Sequence, residues 1–293
     1  KLLLFEVFHL DLVHFLMDRL RPLSESDAET QEKMQTYRGM IAKRASRIPL
    51  QQILGSQEFM GLEFYVNEHV LIPRQDTETL VTEAARVIQE TPREKLSFFK
   101  KLKGGKEWEV LDLCCGSGAV GISLAKISSN VKVLGTDVSE KALAVAEENA
   151  KNLRVKMRFA RGDMFAPAAG KKFDMIVSNP PYIRTRMISI LQEEVKDHEP
   201  LQALDGGRDG LDFYRVIVKE AADHLKPGGF LLEIGHDQGE HLRKMIRDDG
   251  RYTPAEIIRD LPGKDRVVKC EIRDKNEHRA EAKGVTEEQG EDQ

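Results

Sequence analysis

Apolar residues at the start of the chain recur at helical spacing. Leu3, Val7 and Leu10 follow one another at intervals of three or four residues, which is typical of a packed helix or helix pair. The Ser-Glu-Ser-Asp segment at residues 24–27 is a helix-start signal, and a long helix is expected after it. The pattern predicts a small helical domain over residues 1–54.

The apolar spacing changes over residues 55–72, where Phe59, Leu62 and Phe64 stand among glycines and an asparagine. Alternating apolar residues between turn-forming residues are typical of a β-hairpin, which we interpret as a linker. The lysine-rich segment at 93–106 is predicted to be a solvated loop.

From residue 109 onward, short apolar runs alternate with amphipathic segments. This order specifies an α/β fold with a mostly parallel sheet that helices cover on both faces. Residues 226–229 are predicted to form a turn, and the polar tail at 275–293 is predicted to be disordered. The predicted strands are 110–113, 131–136, 155–160, 173–178, 230–234, 253–259 and 266–272. The predicted helices are 77–89, 120–127, 140–149, 211–224 and one that ends near 247.

The composition restricts the class of protein. With 293 residues, of which 40% are hydrophobic, the chain can bury one α/β core and a smaller second domain. A net charge of −4 and a pI near 6.1 argue against a long nonspecific grip on nucleic acid. Charged residues interrupt the first apolar run too often for a signal sequence or a membrane span.

Cys114, Cys115 and Cys270 are the three cysteines, too few for a disulfide framework. They also lack the spacing of a zinc site, so we expect no bound metal. Free cysteines are typical of a reducing compartment. We therefore expect a cytoplasmic protein. We also expect a monomer with no membrane partner.

The tetrapeptide Asn179-Pro180-Pro181-Tyr182 follows the strand predicted at 173–178. The prolines lack N–H donors, so the loop offers carbonyl oxygens and the Asn179 amide, while Tyr182 adds a flat aromatic face. Such a surface suits a planar nitrogen with two hydrogens to donate. By itself the tetrapeptide also fits an ordinary proline turn at the end of a strand.

A glycine-rich loop follows the strand predicted at 110–113 and opens a helix. Gly116, Gly118 and Gly121 let the backbone turn tightly and approach a ligand. Asp137 ends the next strand, about 20 residues beyond Gly116, which is the spacing expected for a carboxylate that binds a ribose diol. These features leave two cofactors open, a dinucleotide and S-adenosylmethionine.

Asp112 discriminates between the two cofactors, because it lies on the strand just before the glycine loop. A carboxylate there would repel a pyrophosphate but can help to hold a cationic amino-acid group. Asp163, Met164 and Phe165 follow the third strand, where they could receive an adenine amine and ring. The residues therefore favour S-adenosylmethionine.

These motifs stand among segments that resemble the class I methyltransferases. More narrowly, the chain resembles the HemK/PrmC family, the glutamine-N5 methyltransferases of class I peptide chain release factors. The resemblance covers roughly residues 1–273. The segments that carry it are 49–55, 58–59, 71–78, the glycine loop at 112–121, 179–182, 199–200 and 203–211.

The resemblance implies a Rossmann-like class I methyltransferase domain over residues 73–274, built on a seven-stranded, mostly parallel sheet. It also implies that the helical domain, truncated at its start, and the hairpin dock the release factor. Lys43, Arg44 and Arg47 form a basic cluster there that is either part of this contact or a solvated helix end. The cofactor-binding residues that it implies for S-adenosylmethionine are Asp112, Cys115, Gly116, Ser117, Gly118, Ala119, Asp137, Met164 and Asn179.

The implied substrate is the glutamine side chain of a Gly-Gly-Gln motif in the release factor. We expect the Asn179 side-chain oxygen and the Pro180 carbonyl to accept its two N–H bonds. Tyr182 is expected to pack on the amide plane, with Pro181 as part of the same binding surface. Asn179, Pro180 and Tyr182 are the catalytic residues in this interpretation.

Three residues depart from the family pattern. Cys114 replaces a usual glycine, Gln75 replaces a usual proline, and Met164 stands where an aromatic residue is common. None of them belongs to the groups expected to act in methyl transfer. Cofactor affinity is therefore the property that these departures would affect.

Other functions stay open at this point. An N6-adenine methyltransferase acting on DNA or RNA would present the same planar NH2 group to Asn179 and Tyr182. The acidic balance and the lack of a basic recognition domain count against a nucleic acid partner. A noncatalytic binding module and a dinucleotide oxidoreductase both fit poorly with Asp112, Asp137 and Asn179 taken together.

Overall fold

The structure is a computed structural model. The residues that it describes are 1–20, 22, 27–90 and 107–273. The predicted loop at 93–106 and the predicted tail at 275–293 lie outside the described residues. Among the helices that are described, none is both long and apolar enough to cross a membrane.

The first part of the chain is helical, as the apolar spacing predicts. Its helices are α1 (Leu2–Phe8), α2 (Leu12–Asp18), α3 (Ala28–Ala45) and α4 (Leu50–Leu54). The Asp27 carboxylate caps α3 by accepting a hydrogen bond from the backbone N–H of Thr30 at 2.9 Å, which confirms the helix-start signal.

The hairpin consists of β1 (Ser56–Phe59) and β2 (Leu62–Tyr65), which pair antiparallel, and it is shorter than predicted. Asn149 is fully buried and anchors this hairpin. Its side-chain oxygen accepts the N–H of Tyr65 at 2.7 Å, and its amide donates to the carbonyls of Tyr65 and Ser117, each at 3.0 Å. The hairpin is therefore tied directly to the glycine loop.

One seven-stranded sheet forms the centre of the fold. Its strands are β3 (Trp108–Leu113), β4 (Val131–Asp137), β5 (Arg158–Arg161), β6 (Phe173–Ser178), β7 (Leu225–Glu233), β8 (Glu256–Arg259) and β9 (Asp265–Glu271). Their order is β5-β4-β3-β6-β7-β9-β8. The pairs from β5 to β7 are parallel, and β9 runs antiparallel to β7 and β8. The prediction of a mostly parallel, seven-stranded sheet is confirmed.

Helices cover both faces of this sheet. The helices that do so are α5 (Glu78–Glu90), α6 (Ala119–Ile127), α7 (Glu140–Asn152), α11 (Asp212–His224) and α12 (Gly239–Asp249), and three short helices, α8 (Thr185–Ile188), α9 (Glu193–Lys196) and α10 (Leu201–Leu204), lie in the segment between β6 and α11. Successive side chains of a strand point to opposite faces. Accordingly, Leu111 and Leu113 pack in one core with α11 and α12, whereas Val110 packs in a second core with α5 and α6.

The basic residues at the end of α3 contact the rest of the chain. Arg44 forms an ion pair with Glu194 at 2.8 Å, and Arg47 forms one with Glu193 at 3.2 Å. Arg44 holds the pKa of Glu194 at about 2, well below its usual range. Arg44 and Arg47 are thus engaged with α9, and neither is only part of a solvated helix end.

One sequence prediction about local structure is wrong, and three short helices were missed. Residues 226–229 do not form a free turn, because they continue β7, whose register against β6 shifts there. A Cβ atom on Gly228 would lie 2.1 Å from the Asp174 carbonyl oxygen, so the glycine permits close strand approach. The short helices α8, α9 and α10 were not predicted, because four residues are too few to show helical periodicity.

Candidate active site

The carboxyl ends of β3, β4 and β6 meet at one edge of the sheet. Leu113 at the end of β3 pairs with Thr136 on one side and Ser178 on the other. The loops that follow these strands converge there, and a cavity opens between them. The sequence-predicted site residues that line this cavity are Asp112, Cys115, Gly116, Ser117, Ala119, Asp137, Met164, Asn179 and Pro181.

The glycine loop forms the floor of the cavity and leads into α6. Gly118 has a φ of 78°, a left-handed conformation that favours glycine. It does not line the cavity but lies behind the wall, where an added Cβ atom would come within 2.9 Å of Ile122. Gly121 lies close to Asp112, since an added Cβ atom would be 2.7 Å from the Asp112 Oδ2.

Asp137 lies where a ribose-binding carboxylate was predicted. Its Oδ2 accepts the N–H of Gly116 at 2.9 Å, and its Oδ1 accepts the N–H of Ser139 at 2.9 Å. The carboxylate therefore also holds the shape of the glycine loop. Burial raises the pKa of Asp137, and these backbone hydrogen bonds oppose that rise.

Asp112 is only 1% exposed, and its Oδ2 accepts the N–H of Gly121 at 2.8 Å. Burial raises its pKa to about 7, the Gly121 hydrogen bond opposes the rise, and the negative charge of Asp137 adds to it. A cationic group in the cavity would favour the charged form of Asp112. The predicted role of this carboxylate therefore depends on what occupies the cavity.

The raised pKa of Asp112 predicts how the stability of the ligand-free protein depends on pH. The folded state holds this proton up to about pH 7, whereas the unfolded chain releases it near its ordinary value of 3.8. The free energy of unfolding should therefore fall as the pH rises between these two values. Urea unfolding across this range should show a shallower fall for Asp112→Asn than for the wild type. Equal slopes would contradict the assignment.

Thr136 supports the interpretation of the cavity as a cofactor site. Its side-chain oxygen is buried at the cavity wall and has no hydrogen-bond partner among the described residues. Together with the carboxylates of Asp112 and Asp137, it offers polar groups to the cavity. These groups fit S-adenosylmethionine, which carries a ribose and a cationic amino-acid end. Within the described residues, no group of three or more His, Cys, Asp or Glu side chains could hold a metal ion.

Cys114 and Met164 have positive φ angles of 59° and 42°, which side-chain-bearing residues rarely adopt. This conformation explains why glycine is usual at the Cys114 position. Burial raises the pKa of the Cys114 and Cys115 thiols well above the ordinary value, so neither is a thiolate at neutral pH. Phe165 was predicted to face adenine with Met164, but it is buried in the core and stacks on His224 at 4.8 Å.

Asn179 is half-buried at the cavity wall, at the carboxyl end of β6. Its side-chain nitrogen donates to the Thr77 hydroxyl oxygen at 3.3 Å. Because the NH2 group is engaged in this way, the carboxamide oxygen of Asn179 is left to accept a hydrogen bond. Pro180 is buried and does not line the cavity, whereas Pro181 does.

Tyr182 was predicted to pack on the plane of the substrate amide, but it is not among the residues that line the cavity. Its ring packs against the core next to α11, and its hydroxyl donates to Glu233 Oε1 at 3.2 Å. The buried acid at the end of β7 draws the phenol away from the cavity wall. The structure therefore does not show the Tyr182 ring facing this cavity.

Several residues that sequence reasoning missed also contribute to the site. Gln238 is buried and donates to the carbonyls of Tyr182 at 3.1 Å and Gly210 at 3.0 Å. This contact holds the tetrapeptide loop against the segment at 203–211. Sequence reasoning also missed Glu233, although an acid at the carboxyl end of a predicted parallel strand was a signal that could have indicated it. Further residues at the cavity wall are His69, Thr77, Gln202 and Phe213.

The segments that carry the family resemblance contact one another in space. Arg74 forms an ion pair with Glu199, and Asp76 forms one with Arg266 at 2.9 Å. An added Cβ atom on Gly206 would lie 2.6 Å from the Cα of Tyr182. The segments at 71–78, 199–200 and 203–211 therefore surround the tetrapeptide.

The chain matches two family descriptions. Residues 1–55 match the PrmC N-terminal domain, and residues 96–198 match the Methyltransferase small domain. A similar protein is the release factor glutamine methyltransferase of Geobacter sulfurreducens, which is 42% identical over 81% of this chain and 78% of its own length. The protein of that description from Clostridium acetobutylicum is 39% identical over 86% of this chain and 85% of its own length.

Solved structures show the same fold at much lower identity. A methyltransferase from Pyrococcus furiosus superposes with a TM-score of 0.51 at 19% identity, covering 79% of this chain and 98% of that one. The hMettl16 catalytic domain superposes with a TM-score of 0.56 at 15% identity, covering 79% of this chain and 82% of that one. Given the identity to the curated relatives over most of its length, the chain belongs to the release factor glutamine methyltransferase family, the HemK/PrmC family of S-adenosylmethionine-dependent methyltransferases.

Proposed function

We propose that the protein transfers a methyl group to the side-chain nitrogen, N5, of the glutamine in the Gly-Gly-Gln motif of class I peptide chain release factors. The observation that carries this proposal is the Asn179 carboxamide. It lies at the wall of the cofactor cavity with its NH2 group engaged by Thr77 and its oxygen left to accept. The relatives' name, release factor glutamine methyltransferase, supports the choice of substrate.

The nitrogen of a primary carboxamide is a poor nucleophile, because its lone pair is delocalised into the carbonyl group. The enzyme must hold this nitrogen in line with the methyl donor and weaken the delocalisation. Asn179 Oδ1, as the acceptor of one N–H bond, would do both, whereas the Pro180 carbonyl as the second acceptor stays a prediction, because Pro180 does not line the cavity. Alignment contributes about 7–11 kcal/mol in favourable systems. Acceptors matched to the positive charge that grows on nitrogen would add about 3 kcal/mol.

S-adenosylmethionine supplies the electrophilic methyl group when it is bound. We assign its ribose to Asp137, its cationic amino-acid end to the glycine loop beside Asp112, and its adenine to the wall at Met164. The substrate proton can leave to water after transfer, so no side chain needs to act as a general base. Tyr182, with its hydroxyl engaged by Glu233, would contribute through the placement of the tetrapeptide loop.

The helical region before the hairpin would dock the release factor. Helix α2 presents apolar side chains to solvent, with Val13 exposed by 62% and Met17 by 77%. Exposed apolar clusters of this kind mark protein contact sites. The monomeric state, the cytoplasmic location and the lack of a nucleic acid partner stay predictions.

One assay tests this function against the main alternative. The protein is incubated with methyl-labelled S-adenosylmethionine and one of three acceptors, which are a release factor with Gly-Gly-Gln, its Gln-to-Ala variant, and DNA. Label should appear on the first acceptor only, and mass spectrometry should place it on the glutamine side chain. Label on DNA would favour an adenine-N6 methyltransferase. Equal label on both release factor forms would contradict the proposed glutamine.

A further inference from the structure

Residues 193–203, which we call the bridging segment, connect the N-terminal helices to the wall of the cavity. The segment begins with α9, which lies against the end of α3. The Glu194 carboxylate forms ion pairs with Arg44 at 2.8 Å and with Arg47 at 3.4 Å. Glu193 forms a further ion pair with Arg47 at 3.2 Å. Charged side chains therefore attach the first end of the bridging segment to the helical region.

The middle of the bridging segment has contacts on two sides. The backbone carbonyl of His198 accepts a hydrogen bond from the Gln52 side chain at 2.9 Å, and its ring Nε2 donates to the Ser46 carbonyl at 3.2 Å. Glu199, the next residue, is buried and forms an ion pair with Arg74 at the cavity. The chain thus passes from the helical region to the cavity within two residues.

The last part of the bridging segment belongs to the cavity itself. Pro200, Gln202 and Ala203 line the cavity, and none of them is assigned above to the cofactor. The carbonyl of Leu204 accepts the N–H of Ile183, the residue after the tetrapeptide, at 3.0 Å. This wall is therefore joined to the loop that carries the proposed acceptor of the substrate N–H. A displacement of α9 would reach the substrate side of the cavity through it.

Arg47 has a backbone conformation that residues with a side chain rarely adopt. Its φ is 68°, in the left-handed region where a glycine commonly follows the last turn of a helix. A glycine would relieve this strain, but it would remove the guanidinium that contacts Glu193 and Glu194. The Arg47 side chain is 59% exposed, so these ion pairs add little to stability by themselves. The strained arginine therefore points to a role of the contact with α9 other than stability.

We propose that Arg44, Arg47 and Glu194 are positioning residues, which hold the bridging segment so that the cavity wall at 200–203 aligns the acceptor glutamine. None of the three lines the cavity, so they act through the segment and not on the reacting atoms. The proposal rests on the proposed function, because it assumes that a release factor glutamine enters beside this wall. It gives the basic residues at the end of α3 a role within the chain, separate from any contact with the release factor.

The central test reverses the charges of one ion pair. In Glu194→Arg, a third cation faces Arg44 and Arg47, and the repulsion should displace α9. We expect kcat for methylation of the release factor glutamine to fall by about tenfold, because a small misplacement of the acceptor slows the reaction strongly. The dissociation constant for S-adenosylmethionine should stay within about twofold. The double variant Arg44→Glu with Glu194→Arg restores opposite charges and should recover most of kcat.

Asp248→Arg is the matched control, because Asp248 forms an exposed ion pair with Lys244 near the end of α12, outside this contact. It should leave kcat unchanged. A direct contact of Arg44 with the release factor would give a different pattern. In that case Arg44→Glu would raise KM for the release factor with kcat unchanged. Adding Glu194→Arg would not recover the loss, since it cannot replace a contact with the release factor.

Arg47→Gly separates the positioning role from a role in fold stability. Glycine relieves the left-handed strain, so the melting temperature should equal that of the wild type or exceed it. Two ion pairs of α9 are lost at the same time, and kcat should fall by about threefold. A fall of the melting temperature and kcat together would show that the contact serves stability, and it would overturn the positioning role. This variant also carries the test if Glu194→Arg fails to fold.

Hydrogen exchange of the backbone amides at 199–206 follows the wall without turnover. Exchange should be faster in Glu194→Arg than in the wild type and should return to the wild-type rate in the double variant. Full kcat in Glu194→Arg, or no recovery in the double variant, would overturn the positioning role and leave the glutamine substrate intact. A wild-type protein that leaves the glutamine unmethylated would overturn the proposed function, and the positioning role with it.

Discussion

Asn179→Ala is expected to lower kcat for glutamine methylation by about 10²-fold or more, while the dissociation constant for S-adenosylmethionine changes far less. Asn179 Oδ1 is the proposed acceptor of the substrate N–H at the cavity wall, and the truncation removes it. An acceptor whose hydrogen bond strengthens as positive charge grows on nitrogen acts on the transition state more than on the bound cofactor. Single-turnover kinetics and calorimetric titration with the cofactor measure the two quantities separately.

Asn152→Ala is the matched control, because Asn152 lies at the exposed end of α7. It should leave kcat and cofactor affinity unchanged. Wild-type turnover in Asn179→Ala would exclude the carboxamide from catalysis. A parallel loss of cofactor affinity and kcat would instead assign Asn179 to the cofactor alone.

Asp137→Ala is expected to weaken S-adenosylmethionine binding by about 10²-fold, the effect of losing a hydrogen bond to a charged group of about 1.5–3 kcal/mol. The structure shows a second reason for a large effect, since the carboxylate also accepts the N–H of Gly116 at 2.9 Å. Alanine would free the glycine loop as well as remove the proposed ligand of the ribose. Isothermal titration calorimetry measures the affinity, and thermal unfolding shows whether the fold is kept.

Asp137→Asn separates the two contributions, because one amide oxygen can still accept a backbone N–H while the charge is lost. Its affinity should lie between those of Asp137→Ala and the wild type. Asp223→Ala, at an exposed position of α11, is the control and should bind normally. Wild-type affinity in Asp137→Ala would remove this residue from the cofactor site.

Much of the fold could be predicted because its signals are local. Each strand of the parallel sheet is a short apolar run, and the alternation with helices specifies the layers. The prediction failed where the signal was short or misleading. Residues 226–229 contain the Pro-Gly-Gly of a typical turn, yet they continue β7, where the neighbouring strands approach so closely that only glycine fits at positions 228 and 229.

The convergence of the residues expected to bind the cofactor could also be predicted, because they follow one another along the first two strands and their loops. Asp112, Gly116 and Asp137 meet at the end of β3 and β4 as the spacing indicates. The acceptor side was predicted only in part. Tyr182 was expected to face the substrate, but its hydroxyl reaches Glu233, which stands 51 residues later in the chain.

By itself the sequence determined the α/β layers, the glycine loop and a tetrapeptide rich in acceptors, since periodicity, backbone freedom and missing N–H groups are properties of neighbouring residues. Only the tertiary structure decided which way these groups face. The orientation of the Asn179 carboxamide depends on Thr77, 102 positions earlier. Hydrogen bonds of this kind require strands and loops distant in the chain to come together in a buried space, where an unpaired polar group is costly. That requirement, and not local spacing, determines how the Asn179 carboxamide of the acceptor loop is oriented.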